Sequence, residues 1–106
     1  MTETGGSAAY PHVPVPTAIL LDEDLSDSAK VLWALLYQVA ITSRGNPFEM
    51  TIEDMMELSR AAKGSVIKRK KELVDAGWLE ETALRGLGLA NLYSIAAPGE
   101  HAAVLA

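Results

Sequence analysis

Six of the chain's nine lysines and arginines, Arg60, Lys63, Lys68, Arg69, Lys70 and Lys71, fall within residues 60–71, where no acid interrupts them. Cations at this density are suited to displacing the counterions that sheath a phosphate backbone. Helical spacing gives the cluster a direction. At about 100° per residue, Val66, Ile67, Leu73 and Val74 mark a core side, while Gly64, Ser65 and Lys68 point away with Arg69 and Lys71 beside them. A positive outer face with short side chains at its front suits the major groove of a duplex. Gly64 and Ser65 permit close approach, free amides at the helix start can meet a phosphate, and Lys68 and Arg69 can reach phosphates or guanine edges. Lys70 falls on the core side, so its ammonium is expected to extend along its stem to water. The competing account of such a run is a solvated helix face with no ligand.

Other chemistry finds little support. The net charge of −5 argues by itself against nucleic acid, so the distribution of charge carries the case. There is no cysteine, which excludes disulfides, thiolate metal sites and cysteine catalysis. Asp22-Glu23-Asp24 lacks the glycine-turned loop of a calcium site and reads as a solvated acidic turn. His12 and His101 stand near the two ends without a second histidine at helical spacing, and no metal or cofactor is expected. Gly86-Leu87-Gly88 lacks the third glycine and the following helix of a dinucleotide loop, and nothing resembles a nucleophile elbow, so the chain is not read as an enzyme. Without a signal core or a membrane-length apolar run, a cytoplasmic location is expected, with no membrane partner.

The elements that must position the cluster follow from local signals. With 106 residues, 49% of them hydrophobic, the chain has material for one small core. Residues 1–17, rich in glycine, proline and small residues, read as a flexible arm whose apolar end, residues 12–21, lies extended against the domain. A helix is expected from Ser26, a hydroxyl cap, to about Ile41, with Ala29, Leu32, Trp33, Leu36 and Ala40 on its core face. Val31, Leu35 and Val39 form a second apolar face, which either builds a homodimer or packs under residues 12–21. Phe48-Glu49-Met50 reads as a short strand, and Thr51-Ile52-Glu53-Asp54 as a capping box opening a second helix. After a corner at residues 59–62, a third helix spans Ala62 to Ala76, and Gly77 stops it. Residues 78–82 and 90–95 then form a hairpin across Arg85-Gly86-Leu87-Gly88. Trp33, Trp78, Phe48, Tyr93 and the methionines at 50, 55 and 56 fall at core positions.

From Leu20 to Ile95 this order resembles the winged helix-turn-helix family of bacterial DNA-binding proteins, MarR-type and replication-initiator domains among them. The matching pieces are the Leu25–Leu32 opening, Thr51–Asp54, Val66–Leu73, Asp75–Glu80 and Asn91–Ile95. The resemblance implies a mainly α, α+β fold of three helices and a two-stranded wing, with a short third strand possible. It assigns 18–96 to the domain, 1–17 to an arm and 97–106 to a tail. It further implies a recognition helix in the major groove and a wing around Arg85 on the neighbouring backbone. Lys63, Ser65, Lys68 and Arg69 are then expected at groove and phosphate, and Arg60, Lys71 and Arg85 at the backbone. The expected role is a sequence-specific duplex-DNA binder in transcription regulation, replication or partition, with a further protein in a nucleoprotein assembly as a possible partner. The wing departs from the family in carrying Arg85 alone beside Glu80 and Glu81. The rival reading is a winged-helix protein-interaction module without direct DNA binding.

Overall fold

The computed structural model describes residues 12–84 and 90–98, apart from the side chains of residues 43 and 44. Residues 1–11, 85–89 with Arg85, and 99–106 lie outside the described residues. The elements are α1 Thr17–Leu20, α2 Asp27–Val39, a π-helical turn Ala40–Arg44, β1 Phe48–Thr51, α3 Ile52–Ser59, α4 Lys63–Asp75, β2 Leu79–Ala83 and β3 Ala90–Ile95. The three strands form an antiparallel sheet in the order β1-β3-β2. The expected hairpin is therefore present, and the short strand before α3 completes its far edge.

Local chemistry accounts for the helix boundaries. Ser26 Oγ accepts from the amide of Ala29 at 3.2 Å and caps α2. That helix ends at Val39, short of the expected Ile41. Thr42 Oγ1 donates to the Gln38 carbonyl at 2.6 Å, a side chain competing for an acceptor of the helical ladder, and the backbone widens there into the π turn. Gly45, with φ +82°, follows it. Thr51 and Asp54 form a reciprocal capping box, at 2.9 and 3.2 Å, that starts α3. Arg60 closes α3 in the left-handed conformation, φ +55°, and turns the chain into α4. Past α4, Gly77 at φ +85° donates to Val74 O, and Trp78 N donates to Leu73 O at 2.9 Å, satisfying the last carbonyls before β2.

The core joins α2, α4 and the sheet. Ala29, Leu32, Trp33, Leu36 and Ala40 of the expected face are all buried, with Phe48, Met50, Met55, Trp78 and Tyr93. Trp33 and Trp78 meet edge to face at 5.9 Å, and Trp33 Nε1 donates to the Trp78 carbonyl at 2.8 Å. Trp78 Nε1 in turn donates to Asp22 Oδ2 at 2.8 Å. Asp22 thus anchors the acidic turn to the core and is not simply solvated.

Two expectations, one for the stretch before α2 and one for Ile67, are corrected. The stretch before α2 is not extended throughout: residues 17–20 make one helical turn that buries Ile19 completely. That turn covers part of the second apolar face of α2, leaving a shallow hollow of about 290 Å³ among Val15, Leu20, Val31 and Ala34. Of the proposed dimer residues only Val31 is widely open, at 59% exposure; Leu35 and Val39 are half-buried, and Val39 packs on the core. Ile67, assigned above to the core side of α4, is 42% exposed, whereas Val66 and Leu73 are buried and Val74 packs partly buried against the core.

Candidate nucleic-acid interface

Helix α4 presents a continuous outer face. Lys63, Gly64, Ile67, Lys68 and Lys71 are all exposed, and a Cβ built at Gly64 would meet nothing within 4 Å. Space in front of the helix is therefore open where close approach to a ligand matters most. Among the described residues, Arg60, Lys63, Lys68 and Arg69 have no carboxylate within ion-pair distance. Four cations beside one another without internal partners form a surface whose potential is left for an external anion.

The other two cations of the cluster are engaged. Lys71 pairs with Asp75 at 2.7 Å one turn on, but both side chains are well exposed, so the pair exchanges readily for a stronger anion. Lys70 does not reach for water as expected. Its ammonium bonds Glu81 Oε2 of β2 at 2.7 Å, half-buried, and lies 5.9 Å from the ring centre of Tyr93. The same oxygen accepts from Asn91 Nδ2 at 3.0 Å and Tyr93 Oη at 2.9 Å, both on β3. This knot ties α4 to both β2 and β3. It also removes Glu81 from the acids that would repel DNA.

Burial alone pushes the Glu81 carboxyl up, but hydrogen bonds from Lys70, Asn91 and Tyr93, with the charge of Lys70, outweigh it and hold the group below its ordinary value. Burial, then Glu81 itself, pushes the Tyr93 hydroxyl up. A carboxyl depressed in the folded state adds stability that is fully present above its unfolded pKa of about 4.3 and is lost as pH falls through the folded value. Urea unfolding of the native protein and Glu81→Gln is expected to differ most near neutral pH, with the difference shrinking as pH falls below about 4.3. A difference constant with pH would show that the carboxylate's charge is not what stabilises the knot.

Arg69 sits differently from Lys68. It is half-buried and lines a cleft of about 220 Å³ with Ser26, Ser28, Ser65, Lys68 and Glu72. Glu72 is already occupied, accepting from the Ser26 amide at 2.7 Å and its hydroxyl at 3.1 Å. Beside the charge that Glu72 keeps, the cleft holds the Ser28 and Ser65 hydroxyls, the Lys68 ammonium and the Arg69 guanidinium, donors of the kind that bind a phosphate oxygen. Ser28 belongs to α2, and nothing in its local sequence marks it; only the packing of α2 against α4 brings it here. Of the residues singled out from sequence, Lys63, Ser65, Lys68 and Arg69 thus lie on one helix, Arg60 stands at the corner before it, and Arg85 lies outside the described residues. No group of metal-ligating side chains occurs among the described residues. Among the described residues, no helix is long and apolar enough to cross a membrane.

No protein family model matches the sequence, and no curated protein matches it. Solved structures do share the fold. A Rep protein in complex with DNA superposes with a TM-score of 0.68 and 22% identity over 92% of this chain and 83% of that one. The N-terminal domain of a DNA-binding protein gives 0.68 and 21%, over 92% of this chain and 83% of its own. An MDR initiator gives 0.67 and 19%, over 93% and 87%. The α+β arrangement of helices and three-stranded sheet is therefore that of known DNA-binding and initiator domains.

Proposed function

We propose that this chain binds double-stranded DNA sequence-specifically, as the DNA-binding domain of a replication initiator or a related regulator, and that it has no catalytic activity. Helix α4 enters the major groove. Lys63 and Lys68 meet the phosphates or bases there, while Ser65 and Arg69 hold a backbone phosphate in the cleft shared with Ser28. Arg60, Lys71 and Arg85 serve neighbouring phosphates. One observation carries the reading: four cations without an ion-pair partner among the described residues stand around the open front of one helix, in a protein whose net charge is −5. Such an arrangement withholds attraction from most of the surface and concentrates it on one face. The likeness to the Rep–DNA complex and the initiator adds support from the fold.

The reading extends to a homodimer joined around the exposed Val31, which would present two α4 helices to an inverted repeat. Fluorescence anisotropy on a pool of random duplexes, titrated across salt, tests the DNA reading, and sedimentation of the same sample tests the dimer. Four to six phosphates neutralised per chain, according to whether Lys63 and Lys68 meet bases or phosphates, predict a slope of log affinity against log salt of about −3.6 to −5.4, at about −0.9 per phosphate. Absence of binding by the folded protein at low salt would favour a protein-interaction role instead. Sedimentation at the mass of one chain would remove the dimer.

A further inference from the structure

The outer face of α4 holds one residue that phosphate chemistry does not explain. Ile67 stands one turn after Lys63 and Gly64 and one turn before Lys71, with Lys68 beside it, and is 42% exposed among these cations. The core does not need its side chain, since Val66, Leu73 and the partly buried Val74 already fill the core side of the helix. A helical side chain leans over the turn N-terminal to its own Cα. For Ile67 that turn contains Gly64, which has no side chain and open space around it. The bare glycine thus leaves the isoleucine as the apolar prominence of an otherwise charged surface.

Resting on the duplex-binding reading above, we infer that Ile67 contacts the 5-methyl group of a thymine and makes the protein prefer that base at one position of its site. The major groove displays donors and acceptors from every base pair, but the thymine methyl is its distinctive apolar group. A branched aliphatic side chain brought close by Gly64 gains by covering that methyl and loses by facing the polar edge of another base. The cations around Ile67 hold the helix against the duplex by their charge, and Ile67 contributes discrimination without charge.

The test begins by selecting a preferred duplex from a random pool with the native protein. Each thymine of that duplex is then replaced in turn by uracil, which removes the methyl and leaves every hydrogen-bonding group in place. One replacement is expected to weaken the native protein about fourfold, the worth of one methyl group withdrawn from water, and to leave Ile67→Ala unaffected. Ile67→Val, which keeps a branched apolar side chain, should retain the sensitivity, and neither variant should alter the salt slope. Uracil replacements without effect on the native protein, or an Ile67→Ala variant equally sensitive to them, overturn the inference while leaving duplex binding intact. Failure of the folded native protein to bind any duplex overturns both this inference and the reading on which it rests.

Discussion

Changing Lys63 and Lys68 together to alanine is expected to weaken duplex binding about a hundredfold, on the scale of about 1.5 kcal/mol for each charge-assisted contact. The same change should flatten the salt slope by about 1.8, or about 0.9 for each phosphate released. Both side chains are exposed and pair with no carboxylate among the described residues, so the folded protein loses no internal partner. Urea unfolding should therefore move by no more than about 0.5 kcal/mol. Anisotropy across a salt series, with unfolding measured on the same preparations, separates the two effects. A variant that stays folded and binds duplex as the native protein does would place the contact surface elsewhere than the front of α4. Binding that weakens without any change in slope would mean that these lysines act on something other than phosphates.

Trp33→Ala tests the opposite property, a residue that touches no ligand and holds the interface in place. Trp33 is completely buried, packs on Tyr37 and Trp78, and donates its indole N–H to the Trp78 carbonyl. Removing it leaves a cavity and should cost about 3–5 kcal/mol, a large share of the roughly 5–15 kcal/mol by which a domain is held folded. The expected result is a lower urea midpoint, measured by circular dichroism because the main fluorophore changes. DNA affinity per folded molecule should fall little at low temperature, since the α4 face is not altered directly. A loss under about 1 kcal/mol would contradict the role given to Trp33 as the joint between α2 and the start of β2.

The two predictions divide along the line between local and distant information. Local signals were enough to find Ser26 as a cap, the Thr51–Asp54 box and the glycine stop at residue 77, because each acts on amides or carbonyls within a few residues of itself. The buried face of α2 followed from helical period alone, since its apolar residues outnumber its polar ones. The cationic helix was legible for the same reason: charge is a property of residue type, and no fold could have separated residues 60–71.

What the cations and their neighbours do was not legible. Helical spacing by itself sends Lys70 to water, but strand pairing sets Glu81 opposite Tyr93, and both lie against α4 where Lys70 can bond the carboxylate. Ile67 was read as core from its type and angle, although the sheet and α2 touch only a narrow strip of α4. Arg69 gained a cleft because Ser28, far away in sequence, packs beside it. The sequence by itself therefore determined the three main helices, the strands and the sign of the outer helix, through interactions that span a turn or less. Which charges are neutralised and which side chains stay uncovered was decided by the tertiary structure alone, because both depend on groups that are brought together only when distant segments exclude water between them.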